Sequence, residues 1–301
     1  QTSIMYWHYR LALPPLPYPP KPIFYEKQQN SLQYSSNSFI ITRAFNADIF
    51  HKINAFAKNN CVTVFAVLLA GLSKQIQRHT GTDDITIGVP FATQCAYTMT
   101  TTTGKFDSLL PVRIQSGKCN NFIELCHHCH KSLFTDYSNA FAGIEDLRME
   151  LGFSQFKAHS LVAARCSYVR LNNNRQSEEL QYSTRYITHQ CTTANLEISF
   201  YENSDSIEIT AIGNSCLTEQ LWITSFVNDL EKQYSLDCIA VSDIVKPGIA
   251  FSTPANKEET ILQEIWKRLF DNIAIETNVS FFALGGDSLS AFSMLDEVNR
   301  Y

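Results

Sequence analysis

The chain has 301 residues, of which 45% are hydrophobic and 18% charged, and its formal net charge is −5. These values are typical of a folded globular chain with room for one large domain and one small one. No apolar run is long enough to span a bilayer, and Lys and Arg are scattered along the chain. Neither a membrane protein nor a nucleic-acid-binding protein is indicated.

The nine cysteines are odd in number, and outside one cluster they occur singly in apolar surroundings. This pattern predicts free thiols and a reducing, cytoplasmic location rather than a disulfide framework. The isolated cysteines include Cys61, Cys166, Cys216 and Cys238.

The first strongly patterned segment begins at Val62, where a buried apolar helix is predicted to run through Ala70 to about His79. A turn of the form Gly-x-Asp-Asp follows, and then a β-branched strand that ends at Pro90. Residues 79–83 also have the His-x-x-x-Asp spacing of a chloramphenicol acetyltransferase-type acyltransferase. Because they follow a long helix, we interpret them as its C-terminal cap.

A cluster of metal-ligand residue types occupies positions 126–130, which read Cys-His-His-Cys-His. Cys126 and Cys129 are one helical turn apart and could share a zinc ion, but a closed zinc site needs two further ligands. Helical spacing instead places both cysteines on one apolar face of a helix over 122–134, together with Phe122, Leu125 and Leu133. We therefore predict core cysteines and no metal.

The pattern after residue 190 predicts a β-hairpin and a helix. Segments 194–200 and 206–212 alternate between apolar and polar residues, as the two strands of a hairpin do. An amphipathic helix is predicted from Thr218 to Tyr234, and the residues assigned to its apolar face are Leu221, Trp222, Phe226 and Leu230.

The last sixty residues predict a linker over 242–256, a helix from Glu258 to Phe270, and a second helix that begins near Ser288. The residues before that second helix read Gly285-Gly286-Asp287-Ser288. The two glycines permit a bare, tight turn, and Asp287 or Ser288 can cap the helix. A phosphate on Ser288 would meet unpaired N–H groups at a helix start.

The segment Leu284 to Ser288, preceded by Phe281-Phe282, resembles the attachment site of thiolation, or peptidyl carrier, domains. The resemblance implies that Ser288 carries a covalent 4′-phosphopantetheine arm, with Gly285, Gly286 and Asp287 as the attachment motif. It also implies a phosphopantetheinyl transferase as partner. Carrier domains contain further helices after the serine-bearing one, so the chain is expected to stop inside a truncated all-α carrier bundle.

Residues 1–240 resemble the C-terminal lobe of condensation domains of nonribosomal peptide synthetases. The matching segments are Tyr6 to Pro22, Val62 to Pro90 and Gly104 to Arg113. The implied fold is a two-layer α/β lobe, like half of a chloramphenicol acetyltransferase fold. Arg113 is implied to be a structural or channel-lining cation, and an arginine that merely closes an apolar strand is an equal alternative.

The His-His-x-x-x-Asp-Gly motif of condensation enzymes is not found in the sequence, because the pair His127-His128 is followed by Cys129 and His130. No catalytic residue can therefore be assigned, and the chain by itself is expected to be inactive. The predicted organisation is a condensation lobe over 1–240, a linker over 241–256 and a carrier segment over 257–301.

The resemblance implies a part of a peptide synthetase that holds aminoacyl or peptidyl thioesters on Ser288 and forms one side of a peptide-bond-forming site. The linker is too short for an adenylation domain, so loading would come from an adenylation domain acting in trans or from other synthetase domains. Two alternatives stay open. One is a non-catalytic docking unit with a degenerate lobe, and the other is a stand-alone acyltransferase of the chloramphenicol acetyltransferase type.

Overall fold

The structure of the chain, a computed structural model, describes residues 2–12, 38–92, 107–140, 147, 149–150, 162, 164–171, 192, 194, 196–203, 205–215, 220–238, 254–269, 281, 294 and 297–298.

Six strands form one mixed sheet at the centre of the described fold. In chain order they are β1 (Ser38–Ala44), β2 (Asp84–Ala92), β3 (Asp107–Gln115), β4 (Ala164–Arg170), β5 (Leu196–Glu202) and β6 (Ile207–Asn214). Their order in the sheet is β1-β6-β5-β4-β2-β3. β4 pairs in parallel with both β2 and β5, and the other three pairings are antiparallel.

In the part of the chain that the structure describes, six α-helices with full bounds accompany the sheet: α1 (Thr2–Ala12), α2 (Ala47–Asn59), α3 (Val64–Thr80), α4 (Phe122–Ser138), α5 (Gln220–Asp237) and α6 (Lys257–Leu269). The apolar faces of α2, α3, α4 and α5 form one buried core with alternate residues of the strands. This arrangement confirms the predicted α/β class, in which helices lie against a sheet. α1 contributes Trp7 and Leu11 to a second, smaller buried cluster beside β2 and β3.

The predicted passage from α3 into β2 is confirmed in detail. The hydroxyl of Thr63 accepts a hydrogen bond from the backbone N–H of Ala66 and caps the start of α3. Gly81 ends the helix with φ of +70°, the left-handed conformation that glycine adopts most readily. The C-cap interpretation of residues 79–83 is therefore confirmed.

The helix predicted over 122–134 is confirmed as α4 and extends to Ser138. Cys126 and Cys129 are completely buried within the core, as predicted. Among the described residues, no group of three or more potential metal-ligating side chains is positioned to hold a metal ion.

The hairpin predicted near residues 194–212 is confirmed as β5 and β6, which pair in antiparallel register. The helix after it is confirmed as α5, but its predicted apolar face is partly wrong. Leu221 is 82% exposed, whereas Ile223 and Val227 are buried. The helix is rotated relative to the prediction because Tyr234, near its end, is fully buried and donates a hydrogen bond from its hydroxyl to the carbonyl of Leu68.

No single described helix is long and apolar enough to span a membrane. α2 and α3 meet that criterion only as a pair bent by 109°, and both are built into the core.

Six cysteines lie in the described residues, and all six are free thiols. Cys61 corrects the prediction of uniformly apolar surroundings, because it is exposed in the turn between α2 and α3. Its φ of +53° lies in the left-handed region, as is common for a residue in a tight turn.

Alkylation of the folded protein should discriminate among these thiols. Burial raises the pKa values of Cys126, Cys129 and Cys166, and it raises the pKa of Cys238 to about 12. Because the thiolate is the reactive form, iodoacetamide is expected to modify Cys61 first and the buried thiols only after unfolding. Peptide mass spectrometry would measure this order, and modification of Cys129 at the rate of Cys61 in the folded protein would contradict it.

Candidate functional site

The predicted attachment residues Gly285, Gly286, Asp287 and Ser288 lie outside the described residues. The described residues on either side of them contact one another. The indole N–H of Trp266, in α6, donates a hydrogen bond to the sulfur of Met294, at 2.8 Å, and the Trp266 ring packs edge-on against Phe281. Arg268 also forms an ion pair with Glu297. α6 therefore packs against helical residues that follow the predicted site.

Arg113 is buried near the end of β3, and its guanidinium forms a two-pronged ion pair with Asp84 of β2. The Nε to Oδ1 distance is 2.8 Å and the Nη2 to Oδ2 distance is 2.6 Å. Gln115 donates a further hydrogen bond to the same carboxylate. Burial works to raise the pKa of Asp84, but the hydrogen bonds from Arg113 and Gln115 and the positive charge of Arg113 outweigh it, and the pKa lies below its ordinary value.

A second buried ion pair joins α1 to α4. Arg10 donates from Nε to the Oδ1 atom of Asp136, at 2.9 Å, and Tyr6 donates its hydroxyl to the same oxygen. Asp136 is fully buried. Burial raises its pKa above the ordinary value although Arg10 and Tyr6 both act to lower it.

The two arginines are also linked to each other through the backbone. Nη2 of Arg10 donates to the carbonyl of Arg113 at 2.5 Å, and Nη1 of Arg113 donates to the carbonyl of Arg10 at 3.0 Å. These two linked ion pairs, Arg10 with Asp136 and Arg113 with Asp84, are together called the crossed arginine pair. It connects α1, α4, β3 and β2 at one place, and each cation faces its own carboxylate.

The histidines of α4 accept hydrogen bonds from backbone N–H groups of other elements. Nε2 of His128 accepts from Gln115 at 3.2 Å, and Nδ1 of His130 accepts from Thr63 at 3.4 Å. Burial is the main cause that lowers both pKa values, aided by nearby cations at His128 and by His127 at His130. Both imidazole rings are therefore neutral. Each accepts a hydrogen bond and is not arranged as a metal ligand.

Acidification is expected to destabilise the fold through these two rings. Because their pKa values are lower in the folded state, the unfolded chain takes up protons first as the pH falls below about 6.5. The contribution of the two neutral rings to the free energy of unfolding is therefore complete above that pH and is lost as the pH falls below it. The loss is roughly 1 kcal/mol or less, because the groups are only half-buried. Urea unfolding at pH 7.5 and 5.5 measures the loss.

The variant His128→Gln/His130→Asn is the control, since its amide oxygens can accept the same hydrogen bonds without titrating in this range. It should show a smaller loss of stability between the two pH values than the native chain. An equal loss in both proteins would contradict the assignment.

His79 lies near the end of α3 and is exposed, but its ring contacts aromatic side chains of α5. Its ring meets Trp222 edge-on at a centroid distance of 5.3 Å and also contacts Phe226. Its Nε2 lies 3.1 Å from the side-chain nitrogen of Gln75. Burial lowers the pKa of His79. The ring is a packing residue between α3 and α5.

The sequence interpretation missed Arg10, Asp84 and Asp136. One signal was available for Asp136, which continues the helical spacing of the buried face from Leu125 through Cys129 and Leu133. A carboxylate on such a face requires a cationic partner. Which cation supplies it could not be deduced, because Arg10 lies 126 residues away in the chain.

Comparison with known proteins identifies the family. A family model described as "Condensation domain" matches residues 1–231, and the chain therefore belongs to this family. Bacitracin synthase 2 of Bacillus licheniformis is 29% identical over 116 residues, which are 38% of this chain and 4% of that protein. The nonribosomal peptide synthetase kk1B of Curvularia clavata is 32% identical over 91 residues, which are 30% of this chain and 1% of that protein.

Solved structures show the same fold. The condensation domain of the Monacolin K polyketide synthase MokA aligns with a TM-score of 0.62 at 17% identity, over 79% of this chain and 57% of that one. The X-domain from teicoplanin biosynthesis aligns with a TM-score of 0.63 at 15% identity, over 81% and 57% of the two chains. The chain thus spans little more than half of these domains, and at most 4% of the synthetases named above.

Proposed function

We propose that this chain is part of the condensation domain of a nonribosomal peptide synthetase and forms one side of a peptide-bond-forming site. The observation that carries the proposal is the family match over residues 1–231, which covers the whole six-stranded sheet. In amide formation an amine attacks a thioester carbonyl, the C–N bond forms, the thiol leaves and a base removes the proton from nitrogen.

The described residues supply the frame of that site rather than its base. His128 and His130 are occupied as acceptors of backbone hydrogen bonds, and the exposed ring of His79 lies against Trp222 and Phe226. The location of Arg113, buried and paired with Asp84, supports a structural role for this residue over a channel-lining one. None of these three histidines is therefore assigned as the base, and the assignment of catalytic residues stays open.

The reaction is tested in the full-length protein that contains this chain. Given one carrier loaded with a donor aminoacyl thioester and one loaded with an acceptor, it should release a carrier-bound dipeptide that mass spectrometry detects after thioester cleavage. Binding of both carriers without any product would favour the alternative of a docking unit. The acyltransferase alternative requires His79 as a base, which its packing and the C-cap at Gly81 disfavour.

We further propose that Ser288 holds a covalent 4′-phosphopantetheine arm, whose thiol carries the aminoacyl or peptidyl group as a thioester. The contact of Trp266 with Met294 supports this, because it joins α6 to a helical residue a short distance after Ser288, as a carrier bundle requires. The carrier over 257–301, the linker over 241–256 and the division at 240 stay predictions.

Phosphopantetheine transfer is expected when the full-length protein is incubated with coenzyme A and a phosphopantetheinyl transferase. The protein should gain the mass of one phosphopantetheine group on the peptide that contains Ser288. Ser288→Ala should abolish the gain, and the neighbouring Ser290→Ala should leave it unchanged. Modification that persists in Ser288→Ala would refute the assignment.

The partners that follow from this proposal are a phosphopantetheinyl transferase, an adenylation domain acting in trans or other domains of the synthetase, and aminoacyl or peptidyl thioesters. A cytoplasmic location remains a prediction and is supported by the free thiols of the described cysteines.

A further inference from the structure

α1 is separated from β1 by residues 13–37, so the covalent chain alone does not fix where the helix lies on the sheet. Noncovalent contacts must therefore set the position of α1.

Apolar packing holds α1 against the sheet but does little to fix its position along the sheet. Trp7 and Leu11 are buried in the small cluster with Phe91 and Leu110, and the indole N–H of Trp7 donates to the carbonyl of Asn139 at 2.9 Å. Hydrophobic contact is non-directional and tolerates sliding of one surface over another. Hydrogen bonds to ions do not tolerate such sliding, because a shift of α1 along its axis would leave a buried charge without its partner.

We propose that the crossed arginine pair is a positioning device that holds α1 in a single register on the sheet. The proposal rests on the function proposed above, because the condensation reaction is what this positioning would serve. Each guanidinium contacts its own carboxylate and the backbone carbonyl of the other arginine, so neither cation can move without breaking bonds to two elements.

The outer face of α1 indicates what the helix is positioned for. Met5 is 70% exposed and Tyr9 is 87% exposed, and they lie one helical turn apart on the side opposite Trp7. The chain covers 57% of the solved MokA condensation domain, so 43% of that domain has no counterpart in this chain. The occupant we assign to the Met5 and Tyr9 face is that remaining part of the condensation domain.

Arg10→Lys is the decisive variant. Lysine keeps the charge opposite Asp136, but its three donors sit on one nitrogen and cannot reproduce the planar fork with which arginine bonds to the carboxylate and to the carbonyl of Arg113. In the 301-residue chain, amide hydrogen exchange of residues 2–12 should accelerate about tenfold or more while the urea midpoint moves little. Unchanged exchange over residues 2–12 would overturn the proposal.

In the full-length protein, Arg10→Lys should lower kcat for dipeptide formation roughly tenfold to a hundredfold with little change in KM for the loaded carriers, as expected for misplaced reacting groups. Met5→Glu should also lower kcat with little change in KM, but it should leave the amide hydrogen exchange of residues 2–12 in the 301-residue chain unchanged. Lys74→Met, which removes the ion pair between α3 and α5, is the matched control and should change neither kcat nor exchange over residues 2–12.

The two proposals fail in different ways. A native protein that forms no dipeptide would refute the proposed function, while the exchange experiment would still test the positioning of α1. Normal kcat in both Arg10→Lys and Met5→Glu, in a protein that does form dipeptide, would refute the positioning role alone.

Discussion

Arg10→Met is expected to destabilise the fold by about 3–5 kcal/mol, the usual cost of removing one partner of a buried ion pair. Asp136 is fully buried, and without Arg10 its carboxylate would keep only the hydrogen bond from Tyr6 among the contacts described here. Arg113 would also lose the donor to its carbonyl. Urea unfolding at neutral pH measures the loss as a lower midpoint with an unchanged slope.

Two variants separate the buried charge from other causes. Arg10→Met/Asp136→Leu removes both charges and should recover much of the stability, since buried ion pairs are often replaceable by apolar pairs of similar volume. Lys52→Met breaks the exposed pair with Asp48 on α2 and should cost about 0.5 kcal/mol or less. A double variant no more stable than Arg10→Met would contradict the explanation.

Gly71→Ala is the second substitution for which we expect a large effect. Gly71 lies in α3 where the ring of Tyr234 from α5 crosses it, and an added Cβ would lie 2.1 Å from Cε1 and 2.8 Å from the hydroxyl oxygen. Tyr234 is fully buried and bonded to the carbonyl of Leu68, so the ring has no free space into which to move. We expect a loss of about 3 kcal/mol or more, from overpacking together with the lost hydrogen bond.

Gly71→Ala/Tyr234→Leu should be more stable than the sum of the two single changes predicts, because the smaller side chain makes room for the methyl group. Gly81→Ala is the matched control for glycine. A Cβ at Gly81 would meet nothing within 4 Å, and its cost of about 1–2 kcal/mol would come from the left-handed φ alone. Equal effects at Gly71 and Gly81 would contradict the steric explanation.

The local sequence pattern predicted those elements in which apolar residues recur at one regular period. α3, α4 and the β5–β6 hairpin were predicted because apolar residues recur in them at helical or alternating intervals. β1 and β4 were not predicted. β1 is an edge strand whose residues are exposed or half-buried, and in β4 only Ala164 and Cys166 are buried, so neither carries enough apolar alternation to stand out.

The face of α5 shows the limit of the same method. Apolar spacing included Leu221, yet the helix turns that residue to solvent and buries Ile223 and Val227. The rotation is set by Tyr234 and by Gln233, whose side-chain amide donates to the carbonyl of Gly71 in α3. Such contacts join residues more than 160 positions apart, and no local window contains both partners.

The sequence alone determined the α/β class, the end of α3 at Gly81, the core role of the cysteines in α4 and the family resemblance, because short-range spacing and motif order encode each of them. Tertiary structure alone decided which charges meet. Asp84, Arg10 and Asp136 acquire their roles only when α1, β2, β3 and α4 come together, since an ion pair depends on distance in space and not on separation along the chain.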